Sequence, residues 1–240
     1  MKSNPLGLGG WTFETDIPKI RAIAAYLRQQ KKAQGPDPAT LPWAEEDIKI
    51  PVRDGTEIIA RVHRPQTMPC GGAPVFVLFH GGGFMVGDAE SSAWLANIFT
   101  ELGGVTVNVE YRLAPEHKFP QAAEDAFDAL KWVARNAEKL GGDLKRGFLV
   151  GGESAGADLA NITAHLYVEE KELPLLTGVY SSIPCGVNDE VLPQKYKDKF
   201  FSLEQNKSAL ILSRESVLVV WGTLACHLSA ICRYLVVYSK

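Results

Sequence analysis

The 240-residue chain has no surplus of charge of either sign: 25 Lys and Arg stand against 28 Asp and Glu, for a net charge of −3. That balance argues against the basic face that nucleic acid or an anionic membrane requires. Its four cysteines, Cys70, Cys185, Cys226 and Cys232, are scattered, with no C-x-x-C pair and no metal-ligand spacing. A disulfide framework and a zinc site are therefore not expected. The cysteines read as reduced intracellular thiols, with Cys185, in "SIPCG", as a buried small residue. Internal repeats and low-complexity tracts are absent. The opening "MKSNPLGLGGWTFETD" lacks the apolar core of a secretory signal, and the closing "YSK" is no receptor-read address, so the expected location is cytoplasmic. In the apolar stretch 217–238, His227 and Arg233 interrupt the run short of the roughly 20 residues a membrane-spanning helix needs. A membrane span is therefore not expected.

The segments that are present alternate. Residues 16–30 carry Ile17, Ile20, Ala24 and Leu27 at helical spacing, with Asp16 as N-cap and Pro18 in the first turn. "KAQGPDPATLPW" then breaks the chain. "EDIKIPV" and "TEIIARVHRP" flank "RDGT", a hairpin signal. "PVFVLF" (74–79) is a continuous apolar run, as in a strand buried on both faces. Helix and strand patterns then follow in turn: a helix near 90–102, the strand "GVTVNVE", a helix opening at Pro120, the strand "GFLVG", the helix "AGADLANITAHLYV" and the strand "LLTGVYSSI". Such alternation predicts an α/β architecture: a mostly parallel sheet with helices on both faces and an antiparallel hairpin at its start. The expected organisation is an N-terminal helical cap segment (1–44), a core (45–216) with a cap insertion near 186–215, and an atypical apolar tail (217–240).

Two loops carry chemistry. Gly152-Glu153-Ser154-Ala155-Gly156 fits G-x-S-x-G, with a strand before it and a helix after it. The backbone bends so sharply at such a turn that the residues two before and two after the serine must be small, and the hydroxyl is held clear at a helix N-terminus. The bland alternative is an ordinary glycine-rich strand-to-helix turn. His80-Gly81-Gly82-Gly83-Phe84 follows the buried strand "PVFVLF". Three glycines let successive N–H groups converge on one spot, an oxyanion hole in which the Ala155 N–H is a further donor. The alternative for this loop is phosphate binding, but neither G-x-x-x-x-G-K-[ST] nor G-x-G-x-x-G occurs. His80 reads as orienting the glycine loop. Glu116 and His117, in "YRLAPEHKFP", read as fixing a loop, not as catalytic groups.

Taken together, "HGGGF", "EYRLAPEHKFP" and "GGESAGADLAN" resemble the hormone-sensitive-lipase group of α/β-hydrolases, over about residues 45–216. The resemblance implies hydrolysis of carboxylic esters with Ser154 as nucleophile and Gly81, Gly82, Gly83 and Ala155 around the oxyanion. It implies no cofactor and no metal. The partner it implies is a small-molecule ester, with an acylated fungal secondary metabolite as one case.

A serine hydroxyl needs a base, and in this fold the chain order is Ser, then Asp or Glu, then His. His63 lies on an early strand. His165 sits on the helix of Ser154, about 16 Å along its axis. His227 is the only histidine after it and is the candidate base, with Asp189, Glu190 or Asp198 as candidate orienters. Residues 155–240 are too few for the helix, cap and further strands that the group carries, so its final strands are expected to be missing. Beyond about Val217 the tail reads like a changed reading frame or an unspliced intron, which sequencing the transcript through codon 216 checks. Three readings stay open: an esterase, a hydrolase-fold protein that binds a small ester or carboxylate without turnover, and an inactive shortened product. An open sheet edge would also allow a homodimer.

Overall fold

The structure, a computed structural model, describes residues 10–185 and 192–224. The chain forms two compact units. One comprises Pro36–Leu113 and Pro120–Cys185; the other comprises the described parts of Met1–Gly35, Ala114–Phe119 and Gly186–Lys240.

The first unit is a six-stranded sheet: β1 (Trp43–Pro51), β2 (Glu57–Pro65), β3 (Val75–Phe79), β4 (Val105–Glu110), β5 (Phe148–Glu153) and β6 (Gly178–Ser182), in the order β1-β2-β4-β3-β5-β6. β1 and β2 pair antiparallel and β2 meets β4 antiparallel, while β4, β3, β5 and β6 run parallel. The hairpin forms where "RDGT" predicts it. The Asp54 carboxylate accepts from the Thr56 N–H at 3.0 Å and from its hydroxyl at 2.7 Å, which closes the turn locally.

Every residue of β3 is buried, and consecutive side chains go to opposite faces. Phe76 and Leu78 meet Ala96, Leu95 and Phe99 of α2 (Ala93–Glu101), with the Phe76 and Phe99 rings 5.3 Å apart. Val75 and its register partner Phe148 take the other face, where Phe148 packs edge-on against Tyr167 of α4 (Ala155–Tyr167). α3 (Gln121–Asn136) packs beside α4. Helices thus cover both faces, as the alternating pattern predicts, and each fully buried Phe or Leu contributes roughly 1.5–3 kcal/mol.

Arg112, just past β4, ties this layer together. Its guanidinium forks onto the fully buried Asp125 of α3 at 2.6 and 2.9 Å and reaches Asp54 in the hairpin turn at 2.6 Å. The β6 end is more open than the sequence implies. Val179 and Tyr180 are exposed, and Cys185, expected to be buried, is an exposed thiol. Among the described residues β6 is an edge strand of the sheet.

His63 on β2 is fully buried. Its Nδ1 lies 3.0 Å from Asn97 Oδ1 and 3.6 Å from Glu45, and its Nε2 has no hydrogen-bond partner among the described residues. Burial lowers its pKa below the ordinary 6.5; Arg61 acts in the same direction, while Glu45, Asn97 and Glu90 oppose it. The unfolded imidazole therefore takes up its proton before the folded one does. Stability is full above pH 6.5 and declines as pH falls from there toward the lowered native value. Thermal melts between pH 7.5 and 5 should show this loss, and His63→Gln should flatten it. Equal slopes in the two proteins would remove His63 from the account.

In the second unit, α1 (Ile17–Ala33) starts at Asp16, whose carboxylate accepts from Lys19 N–H at 3.0 Å. Arg21 on α1 clamps Glu116 through both carboxylate oxygens at 2.9 Å and donates to Ala114 O at 2.6 Å. Glu116 is thus a loop anchor, and Arg21 holds its pKa down. α5 (Ser202–Gln205) is a single turn. α6 (Arg214–Thr223) is capped by Ser213 and buries Val217, Val219 and Val220. The rest of the apolar stretch, with Cys226, His227 and Cys232, lies outside the described residues, as do Asp189 and Glu190. No helix among the described residues is long and apolar enough to cross a membrane.

Candidate active site

β3 and β5 are adjacent and parallel, and Phe79 pairs with Gly152 near their ends. The loops that leave their carboxyl ends therefore emerge side by side. One is His80–Phe84 and the other is the turn at Ser154. A Cβ built on Gly81 would lie 3.5 Å from Ser154 Cβ and 3.0 Å from the Glu153 carbonyl oxygen, which measures how closely the two loops approach.

Ser154 joins β5 to α4 without a spare residue. Its φ is +53° with ψ −121°, a backbone conformation that costs a side-chain-bearing residue about 1–3 kcal/mol. The fold holds the residue there from both sides. The Ser154 N–H donates to Ser182 O at 2.9 Å, and its carbonyl accepts from Ala157 and Asp158 in the first turn of α4. The sharp bend brings Gly152 against the carbonyl group of Gly156, and Gly156 against the carbonyl oxygens of Phe79 and His80, so neither position has room for a Cβ. This is the steric demand that the G-x-S-x-G spacing encodes.

The Ser154 hydroxyl does not cap α4 and has no hydrogen bond among the described residues. It is half-buried at the helix N-terminus, and Ala155, the first residue of α4, contributes an N–H that precedes the first helical bond. In the neighbouring loop Gly82 has φ +122°, Gly83 +59° and Phe84 +60°, a left-handed run that curls the backbone. Its carbonyl side is closed by Met85 and Val86, whose N–H groups donate to Gly82 O. A half-buried hydroxyl thus lies beside a curled glycine loop at the positive end of a helix, a setting that favours developing negative charge.

His80 is fully buried and donates Nδ1–H to the Gly81 carbonyl at 2.7 Å. On α4, Asn161 donates to Ser181 Oγ at 3.0 Å, and His165 sits three turns from Ser154. The structure thus brings together Ser154, Gly81, Gly82, Gly83, Ala155, His80, Gly152, Glu153 and Gly156. The proposed base His227 lies outside the described residues.

The end of β4 lies outside the two motifs of the site, yet it binds both ends of the glycine loop. Asn108 donates to Ala89 O at 2.6 Å, Glu110 accepts from Ala89 N–H at 3.1 Å, and Tyr111 donates to His80 O at 2.7 Å. Burial raises the Glu110 pKa and Asp88 adds to the effect, against the Ala89 N–H, which lowers it. The available signal was the alternation in "GVTVNVE". Thr106, Asn108 and Glu110 share one face of an otherwise apolar strand, and polar groups at such positions need partners.

A model of the alpha/beta hydrolase fold family matches residues 76–231. The chain is 36% identical over 218 residues to an AB hydrolase superfamily protein of Schizosaccharomyces pombe, covering 89% of this chain and 62% of the relative. It is 32% identical to the versiconal hemiacetal acetate esterase of Dothistroma septosporum, covering 83% and 59%. Among solved structures, an esterase from the archaeon Pyrobaculum calidifontis superposes with a TM-score of 0.76 at 31% identity, covering 95% of this chain and 69% of that one. The chain spans about three fifths of the length of the curated relatives it matches.

Proposed function

Because the chain belongs to the α/β-hydrolase fold family, we propose that it is a carboxylic ester hydrolase with Ser154 as its nucleophile. The carrying observation is the left-handed backbone of Ser154, held against the glycine loop. In this reading the Ser154 oxygen attacks the acyl carbon while His227 takes the hydroxyl proton. The carbonyl oxygen becomes an oxyanion received by the N–H groups of Gly81, Gly82 and Ala155, with Gly83 completing the curl. The alcohol leaves with the proton, and water then releases the acid from the acyl-serine by the same steps. The esterase names of the D. septosporum and P. calidifontis relatives support ester hydrolysis as the reaction class. A small acylated metabolite is the proposed substrate, on the hemiacetal acetate named for the D. septosporum protein.

Fluorophosphonate labelling of the full chain, with the adduct mapped by peptide mass spectrometry, tests this. An adduct on Ser154 together with turnover of short-chain p-nitrophenyl esters is the expected result. A protein that melts cooperatively yet takes no label would leave ester or carboxylate binding without turnover as the better account.

A further inference from the structure

We propose that Tyr111 is a positioning residue for the oxyanion loop, acting through His80 to set the direction of the Gly81 and Gly82 N–H groups. The inference rests on the hydrolase reading for its catalytic consequence, and on geometry for the rest.

A peptide unit is planar, so the direction of one residue's carbonyl fixes that of the next residue's N–H. The Tyr111 hydroxyl donates to the His80 carbonyl at 2.7 Å, which fixes the plane carrying the Gly81 N–H. The His80 ring donates Nδ1–H to the Gly81 carbonyl at 2.7 Å, which fixes the plane carrying the Gly82 N–H. The His80 ring is in turn held by the Tyr111 ring stacked on it, with centroids 4.3 Å apart and an interplanar angle of 12°. One tyrosine thus holds one plane directly and the next through the imidazole. Glycine has little backbone preference of its own, so planes in a glycine run take their direction from such contacts. Tyr111 is fully buried, and burial and Asp158 both push its pKa up, so the hydroxyl keeps its proton and remains a donor across the working pH range. The far end of the loop is pinned separately, by Asn108 and Glu110 on Ala89.

The test compares two variants of the full chain. Tyr111→Phe removes the hydroxyl and keeps the stacked ring. Tyr167→Phe removes a matched bond, a buried tyrosine hydroxyl donating to the Pro174 carbonyl at 2.9 Å, at the opposite end of α4. Both should lower the Tm by similar amounts. Only Tyr111→Phe should slow fluorophosphonate labelling at Ser154 and reduce kcat, by about 10-fold, with KM little changed, since a misdirected donor weakens the transition state more than the ground state. It alone should also speed amide exchange at Gly81 and Gly82. If Tyr111→Phe matches Tyr167→Phe in labelling, kcat and amide exchange, the inference falls while the hydrolase reading stands. If the wild-type chain takes no label, the hydrolase reading falls, and exchange at Gly81 and Gly82 still decides whether Tyr111 orients the loop.

Discussion

Ser154→Ala should abolish fluorophosphonate labelling and lower kcat on short-chain esters by at least about 10⁴-fold. The substitution removes one oxygen and leaves the elbow intact, because the main-chain bonds donated to the Ser182 carbonyl and accepted from the Ala157 and Asp158 N–H groups do not involve the hydroxyl. What survives is the contribution of the glycine loop and of substrate binding, on the order of 10³-fold over water. Ser154→Gly separates chemistry from folding. It is equally inactive, but a glycine at φ +53° escapes the strain that serine carries, so it should melt above Ser154→Ala. Labelling that persists in Ser154→Ala would assign the reactive nucleophile to another residue.

Gly156→Ala should cost more than about 4 kcal/mol and leave little folded protein. The added methyl would overlap two main-chain oxygens at once, those of Phe79 and His80. These oxygens belong to β3 and to the start of the glycine loop, so neither can step aside without breaking the sheet or the loop. The matched comparison is Gly178→Ala on β6. There the nearest atoms are the flexible end of Leu149 at 3.6 and 3.9 Å, and φ is not in the left-handed region. That variant should be neutral or slightly stabilising, since alanine has less backbone freedom to lose on folding. Urea denaturation of both variants checks the pair. Equal midpoints would mean that α4 can lift away from β3, and that the glycine spacing in this turn is not steric in origin.

The two loops of the candidate site are legible in the residues because each is governed by local stereochemistry. Only glycine tolerates the close approaches at 152 and 156, and glycine at 82 and 83 adopts the positive φ of the curl without strain. The hairpin at Asp54–Thr56 and the helix after Pro120 are legible for the same reason: a side chain two residues away, or a ring that presets φ, decides them. Cys185 shows the limit. A small residue in an apolar stretch is buried only if something packs on it, and the order of strands determines that.

What the amino-acid sequence determined by itself is therefore the set of elements, their parallel pairing through helical crossovers, and the presence of a strained serine turn and a glycine loop. Each follows from periodicity or from backbone limits within a few residues. Only the tertiary structure decided that β3 lies between β4 and β5. That placement sets the glycine loop against Ser154 on one side and the end of β4 on the other. It makes Tyr111 and His80 partners across 31 positions, joins Arg112 to Asp125, and buries His63 against Asn97. Hydrogen bonds between residues distant in sequence depend on which strands become neighbours, and no local pattern encodes that order.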